Sequence, residues 1–185
     1  MQWGGVGIPW FVPWTATESE RPTEPPDGRP RFELPARRER FDRALRERRC
    51  WICGDYLGAV VTFVTQPHWV VQGFAGEPPC HRDCAQFAAQ HCPYFVDAPD
   101  RPLVVLWQCR KYGRRIRDAA IVIEISGATH VDWVLAGRPA TRGEVVRAFD
   151  AVMPKLRGMH AGDLAGKSEL ERTYQHILNS HVPRI

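Results

Sequence analysis

The sequence predicts an α+β protein: a treble-clef-like zinc module of knuckle, β-hairpin and helix, with a small antiparallel sheet and C-terminal helices around it. Three observations carry that expectation. Two thiols two residues apart, Cys50 and Cys53, precede a histidine and a thiol, His81 and Cys84, spaced for one helical turn. Ligands paired in this way close tetrahedral zinc sites. Between the pairs lie two β-branched apolar runs, and beyond them come more runs of strand character. The C-terminal part carries two amphipathic helical patterns, the first opened by a capping box.

A chain of 185 residues, 44% hydrophobic and 25% charged, suits one domain or a small zinc module fused to a second unit. It divides into an N-terminal arm with a Pro-rich linker (1–34), an Arg-rich helix plus the zinc module (35–95), and a hairpin, sheet and two helices (96–185). The opening residues are apolar but broken by Pro9 and Pro13 and too short to span a bilayer. Ile8 to Val12 reads as an edge strand or extended arm packing on the core. Residues 15–30 are polar and proline-rich, a linker or loop, and Arg31 to Leu34 reads as a short strand. No stretch reaches a transmembrane length, so the expected location is the cytoplasm, without a membrane partner.

Pro35 suits the first turn of a helix running to about Arg49. Phe41, Ala44, Leu45 and Arg48 form its narrow apolar stripe, and the remaining arginines alternate with Glu39, Asp42 and Glu47. That pattern fits a solvated helix with i,i+4 ion pairs; the sharper alternative is a phosphate-facing surface. Gly54 permits the tight turn under a metal. Residues 57–64 and 69–74 read as the two strands of a hairpin, with 65–68 as its turn. Pro78 and Pro79 end the second strand, and a helix opens at Cys80 or His81 and closes at Pro93.

After a connector at 96–102, residues 103–111, 119–125 and 131–135 read as strands, with 112–118 as the turn joining the first two. Thr141 and Glu144 form the capping box. Val145, Phe149, Val152, Met153 and Leu156 line one face of the helix that follows, which Pro154 is expected to kink or break near Ala151. A last helix from about residue 164 or 168 to 179 carries Leu170, Tyr174, Ile177 and Leu178 on one side.

Six cysteines compete for the metal. Cys92 lies eight residues beyond Cys84, roughly 12 Å along a helix, too far to share one ion. Cys109 falls in an apolar run, as a small buried side chain would. The ligand set is therefore Cys50, Cys53, Cys84 and His81, with Cys80 as the alternative fourth ligand because i and i+4 also share a face. Disulfides are not expected in a chain without a secretion signal.

The order IPWFV, RERRCWICGDYLG, EPPCHRDCA, CPYF, VDWVLAGRPATRGEV and MPKLR resembles an uncharacterised family of bacteriophage and prophage-type proteins. That family carries an IPFFV-like start, a CWxCG knuckle, EPPSHRDCA, CPF and a late ATRxEV helix start. The resemblance covers most of the chain. It implies a phage context and no mechanism, and its Ser at the position of Cys80 favours His81 as ligand.

No phosphate loop, dinucleotide fingerprint or Ser-centred elbow is present. The best enzyme alternative is an HNH-like, ββα-metal nuclease, which needs a general-base His on the hairpin. The sole hairpin histidine is His68, in the turn, and His91 lies two turns beyond His81. Arg110, Lys111, Arg114, Arg115 and Arg117 cluster around Tyr112, a basic patch interleaved with an aromatic. The expectation is a non-enzymatic phage accessory protein with structural Zn²⁺, acting by binding DNA or RNA or a host protein partner. A net charge of +4 is mild for a nucleic-acid binder, and seven tryptophans suit a protein interface.

Overall fold

The computed structural model describes residues 2–3, 6–7, 9–11, 36–96, 101–117 and 120–184. The linker at 15–30 and the short strand at 31–34 lie outside them, as does most of the 96–102 connector. In chain order the elements are β1 (Gln2–Trp3), β2 (Val6–Gly7), α1 (Ala36–Glu47), β3 (Val61–Thr65), α2 (Pro67–Val70), β4 (Phe74–Ala75), α3 (Arg82–His91) and α4 (Pro93–Val96). There follow β5 (Val104–Cys109), β6 (Tyr112–Arg117), β7 (Ala120–Ile125), β8 (His130–Leu135), β9 (Arg138–Pro139), α5 (Arg142–Met159) and α6 (Leu164–Ser180). The fold is α+β, with small antiparallel sheets.

The strands form two main sheets rather than the one expected: β3-β5-β8-β9 and β4-β7-β6, each antiparallel, beside the short β1-β2 pair. Strand β5 is buried along its whole length, because its two faces serve different cores. Val105, Trp107 and Cys109 enter the larger core, and Val104 and Leu106 the smaller one. Alternate side chains of a strand point to opposite faces, so a strand covered on both sides reads as an unbroken apolar run.

The larger core joins this sheet face to Ile123 and Ile125 of β7, to Val145, Phe149, Met153 and Leu156 of α5, and to Leu170, Tyr174 and Ile177 of α6. Trp133 packs edge-on against Phe149, 5.7 Å between centroids, and its indole N–H donates to the His181 carbonyl at 2.7 Å. The C-terminal segment is thus tied to the core by an aromatic with a satisfied polar handle. On the opposite face, α3 lays Ala85 and Ala89 onto Val104 and Leu106, beside Cys50 and Cys80. Alanines let this helix sit close to the sheet.

The expected hairpin at 57–74 does not form. Pro67 opens the helical turn α2, where its fixed φ is pre-organised, so Trp69 and Val70 lie on a helix. Gly73, at φ +76°, releases the chain into β4, which pairs with β7. Strand β3 instead takes β5 on one side, and on the other Thr62 exchanges both backbone hydrogen bonds with Cys80, at 2.9 and 2.8 Å. The chain therefore returns beside β3 only where the second ligand pair begins.

Two further expectations are corrected. Residues 112–117 form strand β6 rather than a turn, paired with β7 from Tyr112↔Ile125 to Arg117↔Ala120. Pro154 does not break α5, which runs unbroken to Met159. Its ring faces solvent, while Met153 and Leu156 on either side hold the helix to the core; water can serve the carbonyl that loses its donor. The capping box forms as expected: Glu144 N–H donates to Thr141 Oγ1, and Thr141 N–H to Glu144 Oε2 at 2.8 Å.

Candidate metal centre and basic surface

The knuckle is built from backbone geometry first. Gly54 N–H donates to the Cys50 carbonyl at 2.9 Å and Cys50 N–H to the Asp55 carbonyl at 2.7 Å, curling the chain around the two thiols. Gly54 sits at φ +83°, and a Cβ there would meet the Trp10 ring at 2.7 Å. Both the left-handed conformation and this close approach require glycine. Of the 8–12 arm the described residues are 9–11, a turn that lies on the knuckle: Phe11 stacks on Trp51 with centroids 4.5 Å apart, Trp10 N–H donates to the Ile52 carbonyl, and Arg40 donates to the Trp10 carbonyl.

The second pair sits at the start of α3, with His81 as its N-cap and Cys84 in the first turn. The donor atoms of Cys50, Cys53, His81 and Cys84 all lie within 4.8 Å of one another. His81 Nδ1 is 3.4 Å from Cys53 Sγ and 4.0 Å from Cys84 Sγ. A tetrahedral ion at ordinary zinc distances needs a sulfur–nitrogen edge of roughly 3.6 Å, so the donor set fits a four-coordinate metal with small adjustments. His81 Nε2 lies 3.1 Å from the Tyr56 carbonyl. That contact suits an Nε2–H tautomer and leaves the Nδ1 lone pair for a metal. The His81 N–H points at Cys50 Sγ, 3.4 Å away, as a donor to a thiolate would.

No family model matches the chain, nor does a curated protein or a solved structure.

The thiols crowd one another within the cluster. Burial pushes Cys84 far up, and the neighbouring Cys50 and Cys53 push it further. Cys53 is raised by burial and by Cys50. Crowding of this kind opposes the charged form of each thiol, and a coordinated metal would deprotonate them outright. Cys50 is fully buried and Cys53 is exposed.

Cys80, the alternative ligand, lies outside this group. Its buried Sγ donates to the Thr62 carbonyl at 3.3 Å, locked by the pairing with β3. Cys92 caps the C-terminus of α3, and Cys109 is buried with its thiol on the Lys111 carbonyl. Histidine 68 lies on α2, which packs on α5, and burial, then Lys155, lowers its pKa. His91 stacks on Phe87. Among the described residues no helix is long and apolar enough to cross a membrane.

The basic cluster changes character once 112–117 is a strand. Strand β6 is an edge strand on which Arg114 and Arg115 are exposed, and Arg110 and Lys111 just before it are exposed too. Arg117 closes the strand. Two of the cations are paired: Arg115 with Glu124 at 3.2 Å across the hairpin, and Arg114 with Asp42 of α1 at 3.2 Å. Tyr112 is no free stacking platform. Its ring meets Phe63 edge-on and lies under the Arg48 guanidinium.

In the sequence the arginines of α1 and of β6 are separate features. The structure joins them, since Asp42, Arg46 and Arg48 border the same groove as Tyr112 and Arg114. No local signal announces that contact across the fold. Glu47 is the ion-pair hub of α1, reached by Arg43, Arg46 and Arg49.

Proposed function

We propose that this chain is a non-enzymatic phage accessory protein that binds nucleic acid in the bacterial cytoplasm, its fold stapled by a structural Zn²⁺. Cys50, Cys53, His81 and Cys84 would hold the ion in a treble-clef-like module, with the Thr62–Cys80 pairing in the role of the hairpin. Four protein donors with a tied histidine leave no open coordination position for substrate, which favours structural over catalytic zinc. The observation that carries the binding function is the exposed edge strand β6, whose arginines continue the Arg110–Lys111 pair. Lys and Arg on such an edge also oppose pairing with another sheet, leaving the face open to phosphates. No observation favours the nuclease alternative, because His68 sits on α2 rather than on a hairpin.

Affinity for short DNA or RNA should be highest in low salt and fall with a log–log slope of about −0.7 to −0.9 per phosphate contact. The double variant Arg110→Ala/Lys111→Ala should flatten that slope by roughly 1.5 units and weaken all sequences alike. Absence of binding to any polynucleotide in low salt would contradict the proposal. So would Mg²⁺-dependent plasmid nicking that disappears in His68→Ala.

A further inference from the structure

We infer that the groove between α1 and β6 is a phosphate-binding cleft, in which the Asp42 carboxylate holds Arg114 until a phosphate displaces it. The groove is open to solvent, has a volume of about 480 Å³ and is bordered by Asp42, Arg46, Arg48, Tyr112 and Arg114. Arg46 is shared with Glu47 at 3.6 Å, which leaves Arg48 and Arg114 beside the single Asp42 carboxylate, an excess of cation that fits an anion.

Two side chains bordering the groove are unsatisfied, Tyr112 for want of an acceptor and Asp42 for want of a donor. The Tyr112 hydroxyl is buried and finds no hydrogen-bond partner among the described residues, a costly state for a donor. Asp42 Oδ1 lies 3.2 Å from Arg114 Nη2, yet it too is buried without a hydrogen bond. The pair is therefore electrostatic, held without hydrogen-bond alignment.

Arg48 adds a third feature. It takes the left-handed conformation at φ +53° just beyond the end of α1, where glycine is the usual residue. Its side chain donates to the Gly58 carbonyl at 3.0 Å and lies over the Tyr112 ring, which fixes the guanidinium at the groove. A planar guanidinium held in this way suits a phosphate oxygen.

The ligand is a phosphate oxyanion, either the phosphodiester of a nucleic-acid strand or a free phosphate compound. The strand is the source favoured by the function proposed above, on which the inference rests only for that choice. Binding of a short single-stranded oligonucleotide and of inorganic pyrophosphate should be measured in low salt, with zinc content and melting temperature confirming that each variant is folded. Asp42→Asn should tighten the oligonucleotide by roughly two- to fivefold, as the competing ion pair is removed. Arg46→Glu should weaken it by on the order of tenfold. Tyr112→Phe should weaken it several-fold without lowering the melting temperature, which a merely structural hydroxyl would not do.

Pyrophosphate binding with the same variant pattern, but no oligonucleotide binding, would keep the cleft and overturn the nucleic-acid function. Oligonucleotide binding indifferent to all three substitutions would overturn the cleft and leave that function standing. Binding of neither probe would overturn both.

Discussion

The two faces of the β3-β5-β8-β9 sheet are covered by very different means. On one face, α5, α6 and the second sheet bring Phe149, Met153, Tyr174, Ile177 and Ile123 onto Trp107 and Trp133 of the sheet itself, in a broad apolar core. On the other, the buried residues are small: Cys50, Cys80, Ala85 and Ala89 against Val104 and Leu106. Fully burying a large apolar side chain contributes about 1.5–3 kcal/mol, and the thin face has few such side chains. What it has instead is four Cys and His donors that could hold a metal ion, drawn from two segments, the knuckle and the start of α3. A core can be held by area or by coordination, and small modules short of area rely on the second.

The largest effect should come from taking the coordination away. Cys84→Ser or Cys50→Ser should abolish zinc binding and detach the knuckle and α3 from the sheet, a loss on the order of 10 kcal/mol of metal-linked stability. Metal content and tryptophan fluorescence, with Trp51 as the local reporter, would show it. Cys92→Ser should leave zinc stoichiometry unchanged, because Cys92 lies at the far end of α3.

On the broad face the corresponding damage is a cavity. Phe149→Ala should cost about 3–5 kcal/mol in denaturant unfolding while leaving the metal content of the proposed zinc site unchanged. If it also released the metal, the two faces would have to be one cooperative unit. Overpacking the thin face should do the reverse: Ala85→Leu, at a fully buried site, should cost roughly 1–3 kcal/mol and loosen metal binding by displacing α3.

Smaller again is the electrostatic cap of α5. The Arg138 guanidinium, followed by the Thr141 amide, holds the Glu144 carboxyl at about 2, well below its ordinary value. A carboxylate depressed on folding contributes stability above its unfolded pKa and loses it as pH falls through the folded one. The melting-temperature gap between the native protein and Glu144→Gln should therefore be present at neutral pH and close between about pH 4.5 and 2. Thr141→Ala should cost about 1 kcal/mol.

The clustering of Cys50, Cys53, His81 and Cys84 was legible because the spacing of such pairs follows from coordination chemistry rather than from the rest of the fold. Cys50 and Cys53 need a tight turn, and His81 and Cys84 need a helix start, both local properties. The capping box at Thr141 was legible for the same reason. The run at 69–74 was not, since its β-branched residues suited a strand while Pro67 and Gly73 set the local geometry. Strand β6 was missed because YGRRIR has no apolar alternation; even Ile116 is 73% exposed, as an edge strand permits. The groove at Asp42 and Arg114 joins residues far apart in the chain, a contact made only by the completed fold.

The central claim is that a metal ion replaces apolar burial on the thin face. Hydrogen exchange resolved by segment, before and after chelation, tests it most directly. Chelation should expose the amides of Trp51 and Ala85, which donate to Pro79 and His81 carbonyls, while α5 and α6 keep their protection. Unchanged protection across 50–89 after the metal is removed, or equal loss throughout the chain, would contradict it.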